Sequence, residues 1–434
     1  TITLDSSDVT GTSFDVGDDF SDMYLKVLSD TGATVFTSSP KADPSSTASN
    51  SYSTNFVLPQ NKTYQIEVYA TLGSTVTAND AMNLDMDAAG TTVGSSTSVT
   101  AVQATGQTIT ARSGSLTTAN GSNPAATLAA GGTTKKAYSF LMTPTYDNFF
   151  LDEVYVDMSS TLASSTGAVA TLKLYSGADN TGSLLGTATV NTTTSSASFT
   201  GLNFSMPQAQ GVKTFSVYVD LASVGVSAND TGGNVTIRLD GHKYRNSQGS
   251  VTTTNGLSTT TYTGNAIISH SAYPVVENVA LPTTVLAAGT QTLMNTKIMA
   301  SNGNISLGKV IFTVTTTNGP TISESTFKVY KDGSDITSLG TVSTASKDFD
   351  SAAASAGTVS FVFTTAETLD TTGARYELRG DVGGTLTSGH SIQTKIAEAS
   401  TSSTTDDYTT VAATSASLVW SDFSAASHAP STDD

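Results

Sequence analysis

The sequence predicts an all-β fold, and three observations support this prediction. Thr and Val, which suit pleated strands, occur throughout, and Ser, Gly, Asn and Asp, which suit turns, fill much of the remainder. Apolar and polar residues alternate in several short segments, such as FSVYVDL, where Phe215, Val217, Val219 and Leu221 fall on one face. No window shows the i, i+3, i+4, i+7 spacing that is typical of an amphipathic helix.

Length and composition set the size and the class of the protein. The 434 residues are enough for about two to four domains, each with its own core. There is no cysteine, so disulfides cannot contribute to stability. Only 13% of the residues are charged, and Lys and Glu, which favour helices, are scarce. This composition is typical of a secreted β protein, and we expect an extracellular location at the cell surface.

The net charge of −17 restricts the kind of partner. Binding to nucleic acid or to an anionic membrane surface needs a surplus of Lys and Arg, so neither is expected. No apolar run reaches the length of about 18 residues that a spanning helix needs, so membrane insertion is not expected either. The charge is compatible with Ca²⁺, which takes oxygen ligands, although solubility alone would also explain it.

The chain contains three similar blocks. A strand-like segment with a central Lys is followed in each block by a turn rich in Asp and Gly. The three copies are 23–32, 170–182 and 325–335, with Lys26, Lys173 and Lys328 in the same place. A second shared segment joins an apolar strand, a polar turn and an alternating strand. Its copies are 55–73, 203–225 and 362–384.

Strands at short spacing with turn residues between them predict tandem Greek-key β-sandwiches of the immunoglobulin-like type. The first sandwich is predicted at 1–112, the second at 113–270 and the third at 271–415. Residues 416–434 are predicted to form a C-terminal strand or tail that contacts another subunit or the next repeat. Because no low-complexity linker separates the blocks, we expect the sandwiches to stack as an elongated rod.

The first block lacks a strand that the other two have. Blocks two and three open with a strand-like stretch that contains Leu-Ala-Ala-Gly, at 127–142 and 285–299, and block one has no counterpart. Three explanations are open. The chain is a fragment of a longer array, it is a proteolytically matured product, or a neighbouring subunit supplies the strand that the first sandwich lacks. An unpaired sheet edge would otherwise be a hazard.

These segments carry a resemblance to a known group of proteins. The Leu-Ala-Ala-Gly stretch, LKLY with GADNTG, TFSVYVDL and the closing LVWSDFSAASH together resemble the repeated immunoglobulin-like domains of bacterial cell-surface and S-layer-type proteins from candidate-phylum bacteria. The most specific positions are Leu418, Trp420, Ser421, Asp422, Phe423, Ser424 and His428. The resemblance covers most of the chain, although block one departs from it. It implies a coat or stalk role with lattice contacts, in some cases with Ca²⁺, and it brings no catalytic residues.

An enzymatic role is not expected. The four histidines are scattered and form neither an HExxH motif nor an i, i+4 pair; they are His242, His270, His390 and His428. No nucleophile elbow, phosphate-binding loop or dinucleotide fingerprint is present. A glycosidase would need aromatic platforms for sugar, and the chain has one Trp.

Calcium is the candidate cofactor. Four carboxylates crowd the segment DVGDDFSD, where they repel one another unless water or a cation separates them. They are Asp15, Asp18, Asp19 and Asp22. The spacing does not match an EF-hand loop, so a solvated acidic loop is the alternative. Asp85 and Asp87 alternate along one strand face and form a second candidate pair, with ordinary polar surface as the alternative.

The two ends of the chain supply the candidate interface residues. Trp420, the only Trp, and Phe423 lie near the C-terminus, where Trp420 is either a core plug or an anchor for the next subunit. Thr1, Ile2 and Leu4 belong to a strand-like segment at the N-terminus.

The sequence therefore predicts a structural cell-surface protein that self-assembles through sandwich edges into an S-layer lattice or an extracellular fibre, with Ca²⁺ as a reinforcement. Its partners would be further copies of itself, and a cell-wall glycan is a further candidate partner. The alternative is an adhesin or stalk that binds host glycan or protein. That role would need an exposed recognition patch, and most aromatic residues alternate into strand interiors instead.

Overall fold

The computed structural model describes residues 1–8, 16–46, 49–73, 76–100, 103–160, 169–191, 193–225, 233–396 and 417–424. The chain divides into two compact units, Thr1–Ser115 and Leu116–Asp434. Regular structure in the described residues is almost entirely β-strand, with one short α-helix, α1 (Val16–Asp19), and three single turns of 3₁₀ helix at Gln208–Gln210, Glu324–Thr326 and Thr337–Leu339. The prediction of an all-β fold is confirmed. No helix among the described residues is long and apolar enough to cross a membrane.

The first unit is a small sandwich of two antiparallel sheets. Its strands are β1 (Ile2–Asp8), β2 (Phe20–Leu28), β3 (Thr34–Thr37), β4 (Asn50–Tyr52), β5 (Gln65–Leu72), β6 (Ala81–Thr91), β7 (Ser98–Thr100), β8 (Ala104–Thr105) and β9 (Ile109–Thr110). One sheet has the order β4-β1-β6-β7, with β8 and β9 also paired to β6, and the other has the order β3-β2-β5.

The core of the first unit lies between these two sheets. Ile2 and Leu4 of β1 are buried against Met23 and Leu25 of β2 because alternate residues of each strand face inwards. The hydroxyl of Tyr52 on β4 donates to the backbone carbonyl of Met23 at 2.8 Å and so links the two sheets.

The second unit begins with a larger sandwich. Its strands are β10 (Ser115–Asn120), β11 (Thr127–Ala130), β12 (Thr134–Thr145), β13 (Phe149–Ser160), β14 (Val169–Ser176), β15 (Ser183–Ala188), β16 (Ser196–Phe199), β17 (Phe204–Met206), β18 (Lys213–Leu221), β19 (Gly233–Asn246), β20 (Val251–Thr254) and β21 (Ile267–His270). One sheet has the order β10-β12-β18-β14-β15, and the other has the order β11-β21-β19-β13-β16. Both sheets contribute to one buried apolar core.

A third sandwich completes the second unit. Its strands are β22 (Pro274–Asn278), β23 (Gly289–Ala300), β24 (Ile305–Thr316), β25 (Pro320–Ile322), β26 (Lys328–Lys331), β27 (Ser334–Asp335), β28 (Gly340–Ala345), β29 (Ser355–Leu369), β30 (Ala374–Gly384), β31 (Ile392–Lys395) and β32 (Leu418–Ser421). The sheets have the orders β22-β23-β30-β26-β27 and β28-β29-β24-β31. Strand β32 pairs with β24, so the described part of the predicted C-terminal segment belongs to this sandwich.

The repeated segments of the sequence form the same strand pair in all three sandwiches. Strand β2 pairs with β5, β14 with β18, and β26 with β30, each pair antiparallel. The repeated lysines share one register, with Lys26 opposite Glu67, Lys173 opposite Tyr218 and Lys328 opposite Arg379. Because the pairing matches residue by residue, positions in one sandwich can be compared directly with positions in the other two.

We expect truncation of a core aromatic residue to destabilise the third sandwich strongly. Phe361 is completely buried and packs edge-on against Phe363 with ring centroids 4.8 Å apart. Phe361→Ala should lower the free energy of unfolding by about 3–5 kcal/mol. Urea denaturation followed by the fluorescence of Trp420, which is buried in the same core, measures the effect.

Leu339→Ala is the matched control in the same sandwich because Leu339 is 59% exposed. This variant should change the free energy of unfolding by no more than about 0.5 kcal/mol. Equal losses in the two variants would contradict the burial of Phe361 in this core.

Candidate functional site: the free edge of the first sandwich

Strand β5 lies at the edge of its sheet. It pairs with β2 on one side, and no strand in the described part of the chain pairs with its other side. The equivalent strands in the other sandwiches are covered there, β18 by β12 and β30 by β23. Strand β12 follows the first Leu-Ala-Ala-Gly stretch, and β23 begins at the Gly of the second; block one has no such stretch. The place of the missing strand is therefore the free edge of β5.

Apolar side chains along this edge are only partly covered. Three of them, which we call the β5 stripe, point towards the core and are half-buried; they are Tyr64, Ile66 and Val68. Their counterparts on β18 are completely buried; they are Phe215, Val217 and Val219. Leu72, at the end of β5, is 48% exposed. The difference in burial follows from the missing neighbour, since the two strands carry similar residues in the same register.

Aromatic packing shows the same incompleteness. In the second sandwich, the ring of Phe215 lies between Phe204, at a centroid distance of 5.3 Å, and Phe140 of β12, at 5.0 Å. In the first sandwich, Tyr64 packs against Phe56 at 6.0 Å, which reproduces the first of these two contacts. No aromatic residue in the described part of the chain takes the place of Phe140 beside Tyr64. An aromatic side chain from an added strand would therefore complete this cluster.

The outer face of β5 carries one negative charge. The Tyr69 hydroxyl donates to Oε2 of Glu67 at 2.7 Å, and this hydrogen bond raises the pKa of Tyr69. The Tyr69 ring stacks on Tyr24 of β2 with centroids 5.2 Å apart, and Gln65 donates to Oε1 of Glu67 at 3.2 Å. Glu67 is the only charged residue of β5. The edge therefore presents an apolar inner face and an oriented carboxylate on its outer face.

The first group of predicted calcium ligands is spread over several environments. Asp15 lies outside the described residues. Asp18 and Asp19 belong to α1, where Asp18 is exposed and Asp19 is buried, and the Asp19 carbonyl accepts from the Gly73 amide at 2.7 Å. Asp22 is exposed on β2. Within the described ranges, no three Asp, Glu or His residues lie close enough to hold a metal ion, and the calcium assignment stays a prediction.

The second candidate pair, Asp85 and Asp87, lies on β6. Both side chains are half-buried, and the β1–β6 register places Asp85 opposite Asp5 and Asp87 opposite Thr3. One carboxylate oxygen of Asp85 is buried without a hydrogen-bond partner in the part of the chain that the structure describes. The predicted alternation along one strand face is present, and calcium binding at this pair also stays a prediction.

The predicted interface residues occupy two kinds of position. Ile2 and Leu4 are 2% and 1% exposed in the core of the first unit, and Trp420 is completely buried in the third sandwich. Burial in the chain's own core accounts for these three side chains, and an interface role for them stays a prediction. Thr1 is exposed and Phe423 is half-buried, so part of their surface is accessible to another molecule.

A buried polar cluster joins the second and third sandwiches, and sequence analysis did not bring its members together. The ring of His270, at the end of β21, packs edge-on against Trp420 with centroids 4.9 Å apart. Asp422 accepts a hydrogen bond from the Ser271 amide at 2.6 Å, and its carboxylate lies 3.9 Å from Nδ1 of His270. The residues are about 150 positions apart in the chain, so no local pattern could have predicted the cluster.

Comparison with known proteins adds little to this description. No protein-family model matches the chain, and no curated protein matches it. Among solved structures, a marsupial T cell receptor is 9% identical and covers 91% of this chain and 99% of its own, with a TM-score of 0.16. The T6 backbone pilin of serotype M6 Streptococcus pyogenes, described as a modular three-domain structure, is 10% identical over 90% of this chain and 94% of its own, with a TM-score of 0.15. At these TM-scores the likeness carries no functional argument.

We expect the second unit to lose stability as the pH falls from about 6.5 to about 4. Burial lowers the pKa of His270 to about 4, against the opposing effect of Asp422, and burial also lowers the pKa of His242 to about 4. The unfolded histidines titrate near ~6.5 and so bind protons first as the pH falls. The stabilisation is therefore complete above about pH 6.5 and is lost towards pH 4, by up to about 3 kcal/mol for each histidine.

Urea denaturation at a series of pH values measures this dependence. Replacing both residues, His242→Asn with His270→Asn, should remove most of the slope, whatever its effect on stability at neutral pH. A slope that persists in the double variant would assign the effect to other groups.

Proposed function

We propose that this chain is an extracellular structural protein whose molecules associate through the edges of their β-sandwiches. The observation that carries the proposal is the free edge of β5, where no strand of the described residues takes the place that β12 has on β18 and β23 has on β30. Strand addition satisfies backbone groups and buries side chains in a single step, so such an edge suits association between molecules.

The composition of this edge supports the proposal. Natural proteins protect sheet edges with charged residues, Pro, very short strands or a covering segment. In the third sandwich, one sheet ends on β22, which carries Pro274 and Glu277, and on β27, which has two residues. Strand β5 has eight residues, one charge and no Pro. A single charge is therefore the one protective feature on β5, and its length and lack of Pro leave most of the edge able to pair with an added strand.

The biological setting is part of the same proposal. A secreted composition, the absence of cysteine and the resemblance of the repeated segments to surface-layer domains support a coat or fibre on the cell exterior, built from copies of this chain. Ca²⁺ at the acidic segments is proposed as a reinforcement, and a cell-wall glycan as a point of attachment. The proposal assigns no catalytic activity.

We expect a charge in the β5 stripe to prevent assembly. Val68→Lys would place an ammonium group between the added strand and the core, where desolvation opposes pairing. The concentration at which the full chain forms oligomers, measured by sedimentation velocity, should rise by about tenfold or more. Leu72→Lys, at a more exposed position of the same edge, is a milder second variant that spares the core.

The matched control is Val251→Lys, because Val251 is also on a strand but is 57% exposed and distant in sequence from β5. Circular dichroism should show the same β content in all variants, and Val251→Lys should assemble normally. Unchanged assembly of Val68→Lys and Leu72→Lys would contradict the proposal. Parallel measurements with Ca²⁺ and with a chelator test the reinforcement separately, which predicts larger oligomers with Ca²⁺.

A further inference from the structure

We propose that the free edge of β5 is an acceptor for one extended strand with the sequence pattern of β12, and that a second polypeptide of this repeat type contributes the strand. The inference rests on the proposed function and specifies which partner the edge takes. It is carried by the two complete sandwiches of this chain, which show what occupies the same position on β18 and β30.

The occupant of β18 defines the register of the strand. Along the antiparallel pair of β12 and β18, a bulge after Lys136 shifts the pairing by one residue. The opposed residues are Lys136 with Tyr218, Tyr138 with Val217 and Phe140 with Phe215. Tyr138 and Phe140 are completely buried, and their rings stack with centroids 6.3 Å apart. The strand thus places alternate aromatic residues over the core and a lysine on the outer face.

Transfer of this register to β5 gives a complementary arrangement. The shared position of the repeated lysines makes Glu67 the counterpart of Tyr218, and so places Glu67 opposite the lysine of a β12-type strand. The two aromatic residues of that strand would then lie opposite Ile66 and Tyr64. The phenylalanine would take the place beside Tyr64 that no aromatic residue of the described part of the chain occupies, and the lysine would lie beside Glu67, the only charged residue of β5.

The β23 sequence fits this edge less well. At the equivalent place, β23 carries Thr292, which lies opposite Arg379 of β30. The third sandwich therefore pairs a cation on the inner strand with a neutral residue on the covering strand. Glu67, in contrast, is an anion that faces Lys26 of β2 on one side and would gain a second cation from a β12-type strand on the other. The edge of β5 should thus prefer a β12-type strand over a β23-type strand.

The strand cannot be the β12 that the second sandwich already contains. The Ser139 hydroxyl of β12 donates to the Phe215 carbonyl at 3.0 Å, and Ser139 is completely buried. Withdrawal of β12 would leave Phe215 and Val217 exposed in the larger core. A second polypeptide that carries an unpaired strand of this type satisfies the edge without this cost, and it links two molecules.

The test uses the full chain and a synthetic twelve-residue peptide with the sequence Thr134–Thr145 of β12. Fluorescence anisotropy of the labelled peptide should show saturable binding, and hydrogen exchange of the Gln65–Leu72 amides should slow when the peptide is bound. A scrambled peptide should not bind, and the peptide Gly289–Ala300 of β23 should bind about threefold or more weakly. No binding, or equal binding of the scrambled peptide, would overturn the inference.

A charge exchange tests the register. Lys136→Glu in the peptide should weaken binding to the natural chain by about threefold to fivefold, and Glu67→Lys in the chain should weaken binding of the natural peptide similarly. The two changes together should restore affinity. Additive losses without restoration would show that these side chains do not face each other. Val68→Lys should abolish binding, whereas Val251→Lys should leave it unchanged.

Competition tests the source of the strand. Excess β12 peptide should dissociate oligomers of the full chain because it occupies the edge through which they are linked. Slow exchange of the β5 amides in the monomer before peptide is added would show that the chain covers this edge itself, and would overturn the inference. Oligomers that persist in saturating peptide would show that the molecules are linked at another surface, and would overturn it too.

These results separate the inference from the proposed function. Oligomers that form normally while the peptide fails to bind would leave edge-to-edge association standing and remove the β12-type acceptor. Peptide binding to a chain that stays monomeric at all concentrations would support the acceptor and contradict self-assembly by the chain alone.

Discussion

Pairing of backbone groups along the sides of the central strands is the constraint on which the rest of this structure depends. In the second and third sandwiches, β18 and β30 have neighbours on both sides, and their inward residues are completely buried as a consequence. Among the described residues of the first sandwich, β5 has one neighbouring strand, and the same positions are half-buried. One missing strand thus changes both hydrogen bonding and apolar burial, since a strand contributes both at once.

The three sandwiches share one strand pair, and the residues at equivalent outward positions of this pair differ. The residue opposite the repeated lysine is Glu67, Tyr218 or Arg379. On the other side, Tyr218 lies opposite Lys136 and Arg379 opposite Thr292, and no strand of the described residues lies beside Glu67. The inward positions vary less, because Tyr64, Phe215 and Tyr376 are all aromatic. Core positions are constrained by volume, whereas outward positions are constrained by the charge of the adjacent strand.

Side-chain contacts hold the second and third sandwiches together, whereas backbone hydrogen bonds join the strands within each sandwich. Their join combines the aromatic contact of His270 and Trp420 with the Ser271 to Asp422 hydrogen bond, all within a buried region. Buried polar groups are costly unless they are paired, so this cluster favours one arrangement over others. The same burial lowers the pKa of His270 and keeps its ring neutral at neutral pH. Protonation of this buried ring in acid would therefore destabilise the contact between the two sandwiches.

The sequence by itself determined the all-β fold and the repeated strand pair. These features are local: alternation with period 2 sets the strand faces, and the repeated Lys-centred segment marks the same hairpin each time. The apolar β5 stripe could be recognised by alignment with TFSVYVDL, although the sequence did not show which edge of the sheet it lies on. Only the tertiary structure decided which strand of the described residues has a single neighbour, that Trp420 lies in the core beside His270, and that Asp18, Asp19 and Asp22 differ in burial. Each of these depends on contacts between residues far apart in the chain, and such contacts are set by sheet order and register rather than by local pattern.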